Sequence, residues 1–77
     1  MREIAIRVHS VQDVQDFVSI ATKFPCTVLV GDGHHRVNGK SFMEMFCLDL
    51  SQPLTVAVDC SEEEWECFRQ EMSRFPV

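Results

Sequence analysis

No stretch of this chain holds more than a few consecutive apolar residues, so nothing approaches the roughly 20 that a membrane-spanning helix needs. The first residues, Met1-Arg2-Glu3-Ile4-Ala5-Ile6-Arg7-Val8, alternate charged and apolar side chains. They lack the apolar stretch of a secretory signal, and the expected location is cytoplasmic. Positive charge is scarce. Seven basic residues stand against twelve acidic ones, a net charge of −5, which leaves no basic face for a nucleic acid. Among Cys26, Cys47, Cys60 and Cys67 there is no C-x-x-C pair, which argues against a zinc knuckle. Without an export signal the four are expected as free thiols, and no metal or cofactor is implied. Cys60 and Cys67 fall near one expected helix start, the only place where thiol chemistry suggests itself.

What remains is enough for a small core. Seventy-seven residues suit one domain, residues 1–77, and a hydrophobic fraction of 45% is ordinary for a globular chain. Linkers, internal repeats and low-complexity tracts are missing. Glu3 to His9 alternates with Ile4, Ile6 and Val8 on one face, which predicts a half-buried strand. Ser10-Val-Gln-Asp13 has the spacing of a capping box. Val11, Val14, Phe17, Val18 and Ala21 then recur at helical intervals until Pro25 ends the helix near Lys23 or Phe24.

Cys26 to Val30 reads as a second strand, Gly31-Asp32-Gly33 as a turn, and His34 to Val37 as a short third strand. On that strand His34 and His35 would face opposite sides and could not share a metal. Ser41-Phe-Met-Glu44 opens a second helix running to about Leu48, Leu54 to Asp59 alternates as a fourth strand, and Ser61-Glu-Glu-Glu64 caps a third helix. Trp65, Phe68, Met72 and Phe75 form its apolar stripe. The order β-α-β-β-α-β-α predicts an α+β open-faced sandwich, with three helices covering one face of a four-stranded antiparallel sheet.

The triplet Gly39-Lys40-Ser41 admits two chemical readings. A phosphate-binding P-loop needs G-x-x-x-x-G-K-[ST], with glycines spaced so that backbone N–H groups wrap the phosphate. Here the required position holds His34, Gly33 lies one residue too far away, and a hairpin intervenes before the loop. Spacing excludes the P-loop. The other reading places Ser41 at a helix N-terminus, where its hydroxyl caps free N–H groups and where a phosphate would meet the same donors. Phe42, Met43, Met45 and Phe46 then crowd a helix of barely two turns, too many large apolar groups to face one core. Those left outside would form a docking surface.

Val37 to Leu50, V-N-G-K-S-F-M-E-M-F-C-L-D-L, resembles the segment V-N-x-K-S-[IL]-M-x-x-M-x-L-x-[IL] of HPr, the histidine-containing phosphocarrier of the bacterial sugar phosphotransferase system. The tail, L-T-V-A-V-D-C to E-E-E-W-E-C-F, is similar to that family's last strand and acidic-capped last helix. The resemblance implies a sheet ordered 1-4-2-3. It makes Ser41 the regulatory serine phosphorylated by HPr kinase, and Phe42, Met43 and Phe46 the patch that docks enzyme I, transcriptional regulators or kinase-like partners.

One motif departs. The family's phosphocarrier histidine lies in G-[IL]-H-x-R-P-A, whereas this chain reads V-H-S-V-Q-D-V there, with no glycine, arginine or Pro-Ala after His9. Asp13 would also repel a phosphoryl group. The expectation is a regulatory or adaptor protein, not an enzyme, with no catalytic residue. His9 is the one weak candidate for residual phosphotransfer, and self-association through the apolar patch is the third alternative.

Overall fold

Alternating apolar residues fold as strands and apolar residues at three- and four-residue intervals fold as helices. In the computed structural model, which describes residues 1–77, the elements are β1 (Arg2–Ile6), α1 (Val11–Thr22), β2 (Thr27–Gly31), β3 (Arg36–Asn38), α2 (Phe42–Met45), β4 (Leu54–Asp59) and α3 (Glu62–Met72). The strands form one antiparallel sheet in the order β1-β4-β2-β3. No helix is long and apolar enough to cross a membrane.

Register decides which side of the sheet is apolar. Ile4 pairs with Val56, Val30 with Val56 and Val28 with Val58, so the even-numbered residues of three strands share one face. On that face Ile6, Val28, Val30, Leu54, Val56 and Val58 are all buried. The odd-numbered side carries Glu3, Ala5, Thr27, Thr55 and Asp59, all exposed. The exception is Ala57, a small side chain flanked by its register partners Glu3 and Leu29 and buried between them.

The helices close over the apolar face. Val14, Phe17, Ile20 and Ala21 of α1 and Phe68 and Met72 of α3 are buried against it. Phe75 meets Phe17 edge-on with ring centres 6.2 Å apart, and Phe24 meets Phe68 at 5.3 Å. Trp65, half-buried, stacks on Phe68. Burying each such side chain contributes about 1.5–3 kcal/mol, which gives so short a chain its core.

Three elements depart from the sequence expectation, each for a local reason. β1 stops at Ile6 instead of reaching His9, because its partner runs out. Ile6 pairs with Leu54, and the next residue of that partner is Pro53, which has no N–H to continue a ladder. The Arg7 N–H turns away to the Phe75 carbonyl at 3.2 Å. β3 begins at Arg36 instead of His34, so the two histidines stand in the turn and not on opposite faces of a strand. Asp32 is the cause: its Oδ1 accepts from the backbone N–H of His34 and of His35, both at 2.8 Å. α2 ends at Met45 instead of about Leu48, and the chain continues in tighter turns. Phe46, Cys47 and Leu48 donate to the carbonyls three residues back, those of Met43, Glu44 and Met45.

Asp32 does more than shape its own turn. Its Oδ2 accepts from the Asp49 N–H at 2.8 Å, tying the β2–β3 connection to the segment between α2 and β4. Its side chain is nearly enclosed, and the backbone donors of Asp49, His35 and His34 hold its carboxyl far below the usual carboxylate range.

Candidate functional site

Val37 to Phe46 is anchored one residue at a time. Asn38 Oδ1 accepts from the Lys40 N–H at 2.9 Å, an Asx turn that reverses the chain after β3. Gly39 lies on the core, its N–H donating to the Val28 carbonyl at 2.8 Å. A Cβ there would fall 2.7 Å from Val28 Cγ1, 3.0 Å from Val30 Cγ2 and 3.3 Å from Phe17 Cε1. Glycine is therefore required for close approach to the core, not for cradling a phosphate. Lys40 Nζ donates to the Phe24 carbonyl at 2.6 Å, just beyond the end of α1. A lysine held this way is occupied, which agrees with the exclusion of a P-loop.

Ser41 is the N-cap of α2. Its extended backbone, φ −106° and ψ 111°, lets Oγ accept from the Glu44 N–H at 3.3 Å. The Glu44 carboxylate does not complete a capping box. It reaches the Asn38 N–H at a long 3.5 Å, and Ser41 donates its own N–H to the Asn38 carbonyl at 3.1 Å. The Ser41 hydroxyl has an acceptor role and no bonded partner for its own proton.

The four large apolar residues after Ser41 divide. Met45 is fully buried, and Phe42 is half-buried against the core. Met43 is 77% exposed and Phe46 43% exposed. Phe42 and Phe46 meet edge to face at 5.0 Å, so the outer ring is braced by the inner one. Val11, at the start of α1, is 58% exposed and borders the same region.

Val11 and Phe46 also line a shallow cleft of about 350 Å³ with Val8, His9, Ser10, Leu50 and Ser51. His9 is exposed, and its backbone N–H donates to Asp13 Oδ2 at 2.9 Å. A carboxylate thus stands within one hydrogen bond of the histidine's backbone. Arg7 Nη2 donates to the Ser51 carbonyl at 3.2 Å, which occupies the guanidinium nearest in sequence. His34 and His35 are far along the chain in the Asp32 turn and form no group with His9. No cluster of three or more histidine, cysteine or acidic side chains could hold a metal.

Two contributions escaped the sequence reading. Leu50 and Ser51 join the cleft on a loop that the Asp32 to Asp49 hydrogen bond and the Arg7 to Ser51 hydrogen bond help to hold. The D-G turn signal hints at Asp32's bonds to its own turn, but nothing local signals its reach to Asp49. Cys60 also stands beside Cys26, a neighbour that spacing did not signal.

Comparison with known proteins gives a consistent picture. A family model described as the PTS HPr component phosphorylation site matches residues 11–75, beginning just after His9 and Ser10. HPr-C-His from Thermoanaerobacter tengcongensis superposes with a TM-score of 0.75 at 24% identity, covering 95% of this chain and 92% of that one. A phosphocarrier protein HPr from Bacillus anthracis str. Ames superposes with a TM-score of 0.71 at 20% identity, covering 92% and 95%. At such identities the two structures establish the fold. A search of curated protein sequences finds no match. The family match over most of the length, on a sheet ordered β1-β4-β2-β3, means that this chain belongs to the HPr family, whose members are phosphocarrier proteins of the sugar phosphotransferase system.

Proposed function

We propose that this chain is a regulatory or adaptor member of the HPr family, docking a protein partner on the Ser41 to Phe46 surface instead of relaying phosphate through a histidine. The observation that carries this reading is the exposed apolar group of Met43, Phe46 and Val11 beside a histidine whose backbone is bonded to a carboxylate. Large exposed apolar side chains on short, well-anchored elements are what a partner's pocket takes up. Met43 lies on α2 and Phe46 caps its C-terminus three residues later, so they present as neighbours.

Ser41 supplies the control point. Phosphorylation would add about −1.5 to −2 charges at the rim of the apolar group and change which partner is tolerated. The candidate partners are an enzyme I-like protein, a transcriptional regulator and a kinase acting on Ser41. At His9 the chemistry is less suitable. A phosphoryl group there would meet the Asp13 charge, and Arg7 is engaged elsewhere. The rival reading, phosphotransfer through His9, draws support from its exposure beside an open cleft.

One pair of reactions tests both. Incubation with enzyme I and phosphoenolpyruvate is expected to leave the chain unmodified, and an acid-labile phosphohistidine on His9 would overturn the proposal. Incubation with HPr kinase and ATP is expected to place one acid-stable phosphate on the chain, absent from Ser41→Ala. Sedimentation of the parent against Phe46→Asp checks the remaining alternative, since a dimer dissolved by that change would mark the patch as a self-association surface.

A further inference from the structure

Cys26 and Cys60 occupy facing positions at the open end of the β2·β4 ladder. The ladder pairs Val28 with Val58 and Thr27 with Asp59, and one further step in the same register brings Cys26 opposite Cys60. The type of pairing follows from the neighbouring strand. The Gly39 N–H donates to the Val28 carbonyl, so Val28 turns its polar groups toward β3 and away from β4. Val28 and Val58 are therefore a non-hydrogen-bonded pair, and Cys26 and Cys60, two residues along each strand, are of the same type. Such partners lie about 4.5 Å apart at Cα, within the roughly 4.4–6.8 Å that a disulfide spans. Both side chains lie on the core face: Cys26 is buried in the core cluster and Cys60 is half-buried against it.

We infer that Cys26 and Cys60 form a reversible dithiol–disulfide site, oxidised by a low-molecular-weight disulfide. The two cysteines divide the work by accessibility. Cys60, half-exposed immediately before the N-cap of α3, attacks one sulfur of the external disulfide as its thiolate. A mixed disulfide forms and one small thiolate leaves. Cys26 then attacks the Cys60 sulfur, the Cys26–Cys60 bond forms and the second small thiolate departs. Two protein thiols are oxidised, the external disulfide is reduced to two thiols, and the two protein protons pass to them through solvent.

The surroundings of Cys26 set the speed of the second step. Burial, the Glu64 charge and the neighbouring Cys60 push its thiol up to about 11, so little thiolate is present at neutral pH. Glu64 accepts a hydrogen bond from the Cys26 thiol and so favours its protonated form, its own carboxyl held low by the Ser61 backbone N–H and hydroxyl. The site is thus slow to resolve but intramolecular, and the second thiol is already in place when the first reacts. Cys47 and Cys67 are exposed, and neither extends this ladder position. They would carry only mixed disulfides.

The test is oxidation of the folded protein with oxidised glutathione, followed by alkylation and peptide mass mapping. In the expected product the Cys26 and Cys60 peptides are joined by a bond that dithiothreitol cleaves, while Cys47 and Cys67 are found only as free thiols or glutathione adducts. Cys60→Ala should lose that product entirely. Cys26→Ala should instead accumulate glutathione on Cys60, and the two variants together guard against one failing to fold. The oxidised parent should melt at a higher temperature than the reduced protein. A crosslink through Cys47 or Cys67, a glutathione adduct that persists on Cys60 of the parent, or a lower melting temperature would overturn the inference.

Discussion

Three helices begin with a serine followed three residues later by an acid, yet the starts of α3 and α2 behave differently. At α3 the pattern closes on itself. Ser61 donates its N–H and its hydroxyl proton to Glu64 Oε1 at 3.1 and 3.0 Å, and its Oγ accepts from the Glu64 N–H at 3.2 Å. At α2 the acid goes elsewhere, to Asn38, and Ser41 keeps an uncommitted hydroxyl proton. Backbone shape separates them, since Ser61 has φ −70° and Ser41 φ −106°, which point their own N–H groups in different directions. The α1 start is a third variant, in which φ −152° at Ser10 leaves Asp13 to hold the His9 N–H. The same four-residue pattern thus saturates Ser61 and leaves the hydroxyl protons of Ser10 and Ser41 without a partner.

Acid should disturb the saturated arrangement most, because it acts on the clamped carboxylates together. Glu64 and Asp32 both have folded values lowered by backbone donors. Their stabilising contribution is therefore present above the unfolded value of about 4 and lost as pH falls through the folded values. A melting curve should stay level from about pH 7 to pH 5 and fall below about pH 4. Glu64→Gln or Asp32→Asn should lower the neutral plateau and flatten the acid limb. An unchanged acid limb in both would remove the clamp from the account.

Gly39→Ala tests whether α2 is held by the core. The added Cβ would sit 2.7 Å from Val28 Cγ1, an overpacking expected to cost about 1–3 kcal/mol in urea denaturation. Ser61→Ala should fall toward the upper end of the roughly 0.5–2 kcal/mol range for N-caps, and Ser41→Ala toward the lower end. Reversal of that order would break the contrast between the two serines. Phe46→Asp should cost about 0.5–1.5 kcal/mol through the lost Phe42 contact while weakening partner binding, measured by titration of an identified partner. A large loss of stability would show that Phe46 belongs to the core.

Periodicity made most of the fold legible. Alternation in Leu54–Asp59 and helical spacing in Val11–Ala21 each have one physical solution, and the three serine starts fall where the pattern places them. What escaped depended on side-chain and backbone partners that periodicity does not register, most of them remote in sequence. The end of β1 is decided by Pro53 and the start of β3 by the Asp32 side chain. The cleft beside His9 includes a loop that Asp32 helps to hold from 17 residues away. Within α2, composition showed that some apolar residues must lie outside, but only packing assigns Met45 to the core and Met43 to the surface.

Gly39, Lys40 and Ser41 are fastened to three different places: the core, the carbonyl beyond α1 and the first turn of α2. An enzyme that modifies Ser41 therefore cannot draw this segment out as an extended strand without first tearing it from the domain. It must read a shaped surface already in place, and a free peptide copied from Val37 to Asp49 would carry the letters of the site without its form.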